Sequence, residues 1–146
     1  MSQKIFMIWK QDFTLEGLDA ITKESLVSHL GITLSGFGDD YLEARMPVDR
    51  RTIQPMGLLH GGASVALAET LGSIASMLCV EDPMKEMPVG VEINANHLRP
   101  VTKGYVTGKV SPIRIGRRLH VWNIDIRDEE GRLTCVSRLT IAVVGR

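Results

Sequence analysis

The stretch Leu59-His60-Gly61-Gly62-Ala63-Ser64-Val65-Ala66-Leu67-Ala68-Glu69-Thr70, LHGGASVALAET, decides how the rest of the chain is read. A His-Gly-Gly opens a run of small and apolar residues that continues to Val80, with Glu69 as its only charge. Twenty residues of this kind are long enough to cross a bilayer. The interspersed Ser64, Thr70, Gly72, Ser73 and Ser76, and the strand patterns that follow closely, favour instead a central helix from Gly61 to about Glu81 in a soluble protein. Apolar residues lie nearly all round it, so it has to be covered on most sides.

The segments on either side supply the cover. Upstream, Thr14 to Leu30 reads as one helix, with Leu15, Leu18, Ile21, Leu26 and Leu30 apolar, Thr14 as N-cap and Gly31 as its end. Two short strands follow, Ile32–Gly36 and Tyr41–Met46, joined by the turn residues Gly36-Phe37-Gly38-Asp39-Asp40. Pro47 to Leu59 reads as a loop. Downstream lie four strand patterns, marked by Val89 to Ala95, Val106 to Val110, Trp122 to Ile126 and Leu133 to Val143. In the first, Val89, Val91, Ile93 and Ala95 share one face. Asp128-Glu129-Glu130-Gly131 is a hairpin turn between the last two. Four consecutive, closely linked strands favour an antiparallel meander. The expected class is α+β, a single domain over residues 1–146 with one curved antiparallel sheet wrapped around one long helix.

Composition narrows the function. Seventeen Lys and Arg balance seventeen Asp and Glu, so no overall field draws nucleic acid or anionic membrane. Cys79 and Cys135 each sit in an apolar stretch without CxxC spacing, which predicts buried reduced thiols in a cytoplasmic protein. The start, MSQKIFMIWKQDF, lacks the pattern of a secretory signal. His29, His60, His97 and His120 lack nearby ligand partners, so no metal site is expected. Nothing resembles a Gly-x-Ser-x-Gly elbow.

Glu69 is the anomaly. A carboxylate in an apolar helix is costly unless it is paired, solvated or used. Positions three and four residues away hold Val65, Ala66, Gly72 and Ser73, so no helical ion pair is available. Rotation to solvent, or an Arg from the sheet, would explain it without chemistry. His60-Gly61-Gly62 favours chemistry, because a helix N-terminus presents free N–H groups and a positive dipole end that stabilise negative charge on a carbonyl oxygen. Glu69, however, lies about 12 Å farther along the helix at ~1.5 Å per residue. One subunit cannot bring both groups to one carbon, which hints at a site between subunits.

The run Gln54-Pro55-Met56-Gly57-Leu58-Leu59-His60-Gly61-Gly62-Ala63-Ser64, with Ala68-Glu69 after it, resembles the signature of hotdog-fold acyl-CoA thioesterases of the 4-hydroxybenzoyl-CoA thioesterase type. Met7-Ile8-Trp9-Lys10, Gly90 to His97 and Gly131-Arg132-Leu133 are similar to a bacterial branch that includes 1,4-dihydroxy-2-naphthoyl-CoA thioesterase and the enterobactin proofreading thioesterase. The similarity begins at Met7, so residues 1–6 read as an extension. The resemblance implies a hotdog fold, one long helix wrapped by an antiparallel sheet.

It also implies roles. Glu69 is then the catalytic carboxylate, as general base or nucleophile, supplied by the opposite subunit. Gly61 donates its backbone N–H to the thioester oxygen. His60 and Gln54 help polarise the carbonyl or bind the leaving thiolate and water, and Ser73 orients water or carboxylate. Taken singly, His60 reads as a residue of the helix cap, Gln54 as a loop amide and Ser73 as a packing hydroxyl. For the CoA arm, Arg114, Ile115, Gly116, Arg117, Arg118 and Leu119 resemble the segment that contacts the nucleotide, as do Gly90, His97, Leu98, Arg99 and Pro100. A solvated hairpin accounts for the arginines, and a core histidine for His97, without any ligand. No cofactor is implied beyond CoA as part of the substrate. The implied assembly is a homotetramer built from paired dimers, and a carrier-protein thioester is a further possible substrate. The alternative is a non-catalytic acyl-CoA-binding or regulatory module on the same fold. A dehydratase on that fold would call for a His/Asp arrangement the sequence lacks.

Overall fold

In chain order, the described residues of a computed structural model, 7–146, form α1 (Leu15–Ile21), α2 (Leu26–His29), β1 (Thr33–Phe37), β2 (Leu42–Pro47), α3 (Gly61–Cys79), β3 (Glu86–His97), β4 (Tyr105–Ile115), β5 (Leu119–Asp128) and β6 (Leu133–Gly145). The extension read at residues 1–6 lies outside the described residues. α3 is the one element among them with the length and hydropathy of a membrane span, and most of it is buried against the sheet. It is a core helix. Leu67, Ala68, Leu71, Ala75 and Ser76 are fully buried on it. The helix and sheet approach closely at two glycines. A Cβ on Gly108 would stand 2.8 Å from Leu71 Cδ1, and one on Gly72 would overlap Leu139. Larger residues there would push the layers apart.

The cover is incomplete on one side. Val65, Ala66, Glu69, Thr70, Ser73 and Met77 remain partly exposed and follow one another at helical spacing along a single face of α3. At the helix C-terminus, the chain before α1 satisfies carbonyls that would otherwise be left over. The Lys10 and Gln11 amides donate to Leu78 O, and the Gln11 side chain donates to Val80 O at 2.8 Å.

The helix expected over Thr14–Leu30 is two helices. Thr14 caps the first, its Oγ1 accepting from Gly17 N–H at 3.0 Å. Thr22 closes it by donating its amide and hydroxyl to Asp19 O, and Ser25 then caps the second. The polar run Thr22-Lys23-Glu24-Ser25 offers the backbone side-chain partners that compete with helical bonds. Gly31, with φ 73°, ends the second helix as expected.

All the strands pair antiparallel, in the order β1-β2-β4-β5-β6-β3. The four-strand meander expected downstream is therefore corrected. Only β4, β5 and β6 follow one another, while β3 lies at the far edge against β6. Closing a sheet around α3 needs a strand on that side, and the chain reaches it by passing β3 first. The shared face read for Val89 to Ala95 also fails. The register shifts between Gly90 and Glu92, so Val91 bulges out and is 58% exposed, whereas Ile93 and Ala95 pack on the core.

Both cysteines are free and buried. Burial pushes the Cys79 thiol up to about 12 and raises Cys135 as well, so neither forms the reactive thiolate at neutral pH. A thiol-titrating disulfide reagent at pH 8 should label almost none of the native protein and both thiols once the chain is unfolded in guanidinium. Stoichiometric labelling of the native form would contradict this packing.

Candidate active site

The loop before α3 is held tightly. Ile53 and Leu59 form a bridge, the Gln54 amide donates to Leu58 O at 2.8 Å, and Gly57 takes φ 80°. The Gln54 side-chain oxygen accepts the Met56 amide, which leaves its NH2 group free to donate elsewhere.

His60 is the N-cap of α3, its Nδ1 accepting from Gly62 N–H at 2.8 Å. The Ala63 and Ser64 amides reach His60 O. That leaves the Gly61 N–H as the one amide of the first helical turn without an acceptor among the described residues. It opens into a cavity of about 350 Å³ whose wall includes Gln54, Gly61, His97, Leu98, Arg99 and Pro100. His97 is exposed rather than a core histidine, and its ring lies over Gly61 so closely that a Cβ there would stand 2.7 Å from Nε2. His60 itself does not line the cavity. Its position is that of the helix cap.

Leu58, Leu59, Ser64 and Thr134 complete the wall, and none of them was read as a site residue from the sequence. Ser64 stands three residues after Gly61, on the same side of the helix, a spacing that could have marked it. Thr134 arrives through the β3–β6 pairing, with Leu98 N–H donating to its carbonyl at 2.8 Å. Nothing local in the sequence signals that.

Glu69 sits at mid-helix on the open face, half-buried, beside Gly90 of β3, where a Cβ would collide with its Oε1. The ion pairs among the described residues all lie elsewhere, so Glu69 has neither the sheet Arg nor any other cation the pairing explanation requires. Ser73 lies one turn farther along the same face, also half-buried. α3 is unbroken between Gly61 and Glu69, so their separation of about 12 Å holds in the folded chain.

The residues read as contacting CoA fall into two groups. Gly90 lies beside Glu69, and His97 to Pro100 line the cavity at Gly61. Arg114 to Leu119 run from the end of β4 through the turn 116–118 to the start of β5, at the other end of α3, where Ile115, Gly116 and Arg117 share a cavity of about 380 Å³ with Cys79 and Val80. Arg114, Arg117 and Arg118 are exposed and none pairs with a carboxylate. Among the described residues, no group of three or more His, Cys, Asp or Glu is placed to hold a metal ion.

Residues 56–135 match the family described as the thioesterase superfamily. The chain belongs to that superfamily. Its sheet wrapped around α3 is the superfamily's hotdog fold. The thioesterase is 54% identical over 138 residues to the 1,4-dihydroxy-2-naphthoyl-CoA hydrolase of Escherichia coli, covering 94% of this chain and 100% of that one. It is 55% identical over 139 residues to the proofreading thioesterase EntH of Cronobacter turicensis, covering 95% of this chain and 100% of the relative. A crystal structure of a thioesterase from Haemophilus influenzae superposes with a TM-score of 0.92 at 58% identity, covering 95% of this chain and 96% of that one. The chemistry of this thioesterase is hydrolysis of a thioester.

Replacing Gly90 by Ala should fold normally yet displace the Glu69 carboxylate. A misplacement of about 1 Å costs about 10²-fold in rate when the group is catalytic. Thioester hydrolysis and thermal melting, measured on the same preparation, test this. An unchanged rate would mean that the position of Glu69 does not matter.

Proposed function

We propose that the chain hydrolyses acyl-CoA thioesters, aryl-CoA among them, in a site shared by two copies of itself. The observation that carries this reading is the free Gly61 N–H at the N-terminus of α3, opening into a cavity with Gln54 beside it. The thioester oxygen is placed at that amide, where the helix dipole and the Gln54 NH2 group add to the stabilisation of the developing charge. Water attacks the carbonyl carbon while Glu69 takes its proton, the C–S bond breaks, and the departing CoA sulfur takes that proton back from Glu69, releasing the free acid and the thiol. If Glu69 attacks first, a mixed anhydride forms and water cleaves it; both routes use the same carboxylate in the same place. Ser73 orients the water or the carboxylate. His60 fixes the helix end that bears the amide, and His97 to Pro100 wall the cavity next to the reacting group. Arg114 to Leu119 hold the nucleotide, with the arginines on its phosphates.

The 12 Å gap supports the second copy. β3 is an edge strand with exposed Met87, Val89 and Val91, the kind of edge that pairs with another chain. If two copies of β3 pair antiparallel about a point between Ile93 and Asn94, His97 of one faces Gly90 of the other. Gly61 of the first then approaches Glu69 of the second. The arginine turn, at the far end of its own α3, likewise serves a site at Gly61 only from another copy. A tetramer of two such dimers completes the assembly. The buried free thiols fit a cytoplasmic protein.

Glu69→Gln should lower the turnover of benzoyl-CoA by roughly 10²–10⁴-fold while retaining acyl-CoA binding. Thiol release and isothermal titration, run side by side, provide the test. Wild-type binding without turnover would favour the binding-module reading, and an undiminished variant would make the carboxylate structural. Sedimentation equilibrium should return a dimer or a larger even assembly. A monomer with full activity would refute the shared site.

A further inference from the structure

His120, Ser76 and Trp122 form a buried polar chain that the catalytic reading leaves unused. The Trp122 indole N–H donates to Ser76 Oγ at 2.7 Å, and His120 Nδ1 lies 2.9 Å from the same oxygen. The His120 and Trp122 rings meet edge to face, and all three residues are buried, His120 being 2% exposed. Gly116, in the β4–β5 turn, lines the same cavity as His120. An indole nitrogen can only donate, so Ser76 accepts from it and has its own hydroxyl proton to give. Given to His120 Nδ1, that proton closes the chain. The result is one directed chain, from the core of the sheet through α3 to the second residue of β5, next to the β4–β5 turn.

That turn is short and otherwise lightly held. Gly116 N–H donates to Leu119 O at 2.8 Å, Arg118 O accepts from Val143 N–H at 2.9 Å, and Arg117 and Arg118 project into solvent. Residues this exposed gain phosphate affinity when their backbone is already ordered, because the ordering cost is then not taken from binding.

We propose that His120 is a positioning residue for the nucleotide end of the substrate, fixing the turn that carries Arg117 and Arg118 by tying the start of β5 to Ser76 on the core helix. The inference rests on the reading of that turn as the nucleotide contact. It makes binding of the CoA arm, and not the hydrolytic step, depend on His120. Only a neutral ring completes the chain, since charging it turns Nδ1 from acceptor to donor. Burial depresses the proton affinity of His120 below its ordinary value, which keeps the ring neutral at pH 7. As pH falls below 6.5, the unfolded chain takes up this proton before the folded one does, so the group's contribution to stability is lost. The charged or titratable groups around it are Glu86 of β3, Lys10 before α1, Cys79 of α3, Glu81 after it and Arg117 on the turn itself.

The test compares two thioesters of the same acyl group, the CoA thioester and the N-acetylcysteamine thioester, which lacks the nucleotide. His120→Ala should raise KM for the CoA thioester about fivefold, the equivalent of one hydrogen bond. It should leave kcat for both substrates and KM for the short one unchanged. His120→Gln, whose amide both donates and accepts, should restore the wild-type KM. Hydrogen exchange read by mass spectrometry on the peptide spanning residues 116–119 should quicken in His120→Ala and not in His120→Gln. Should His120→Ala fail to fold, Ser76→Ala removes the inner partner and is expected to move the same two readouts. Unchanged exchange, or KM rising equally for both thioesters, overturns the proposal. Arg117→Ala keeps the two readings apart. If it leaves KM for the CoA thioester unchanged while His120→Ala quickens exchange, the nucleotide reading of the turn falls, and the proposed effect on substrate falls with it.

Discussion

An almost wholly apolar helix of nineteen residues has to be kept out of water, and most of this structure is the means of doing so. β2 to β6 all contact α3, and glycines at 72 and 108 let helix and sheet approach until leucine side chains fill the gap. Helix α2 adds a smaller contact, and the chain before α1 covers the C-terminal carbonyls. Close packing of this kind fixes the helix against translation and rotation. The N-terminal amide of Gly61 and the carboxylate of Glu69 therefore keep a set separation and a set direction. A catalytic group on a loop would lack that precision.

The same constraint explains why Glu69, the proposed catalytic carboxylate, sits on the one strip of α3 the sheet leaves open. A carboxylate on a covered side would be desolvated without a partner and strongly destabilising. On the open strip Glu69 keeps access to water, which is also the reactant of a hydrolase. What the strip lacks is an electrophile-binding amide within reach, since that amide belongs to the helix end about 12 Å away. In the proposed assembly, a two-fold arrangement of two helices running in opposite directions would supply the missing group to each copy from the other. The exposed edge of β3, a liability in an isolated chain, then becomes the surface that sets the distance.

Much of this was legible in the sequence because it depends on local rules. The apolar run, its small residues and the His-Gly-Gly start specify α3 and its cap. Gly31 and the Asp128–Gly131 turn fall where the backbone needs them, with Asp128 accepting the Glu130 and Arg132 amides. Gln54 and Gly61 were identified by their place in a motif, and both line the cavity. The failures are non-local. Strand order was misread because loop length says which strands can be neighbours, whereas closure around a helix decides which are. The Val91 bulge inverted the parity of a strand that alternates in the sequence. His97 could not be placed over Gly61 without the register of β3 against β6, and the same register brings in Thr134. His120 looked like one isolated histidine among four because its partner Ser76 is 44 residues away in the chain.

The division of the site along α3 also bears on how such an enzyme selects its substrate. On the proposed reading the reacting carbonyl is held by backbone and by a loop amide, groups indifferent to what the acyl chain is. Acyl choice is left to side chains such as Met56 and Met77, one at a loop tip beside the helix N-terminus and one on the open strip beyond Ser73. An apolar pocket separates related acyl groups by only ~1–3 kcal/mol per methylene, so a few substitutions on those surfaces suffice to change preference. Two relatives at 54% and 55% identity, one named for a naphthoyl-CoA and one for proofreading, are consistent with a shared reaction frame. The nucleotide end, by contrast, is the same for every CoA thioester. A buried chain from Trp122 through Ser76 to His120 can therefore be rigid without limiting the range of acids released, and on the proposed reading rigidity there favours capture of the common handle while the acyl end remains free to vary.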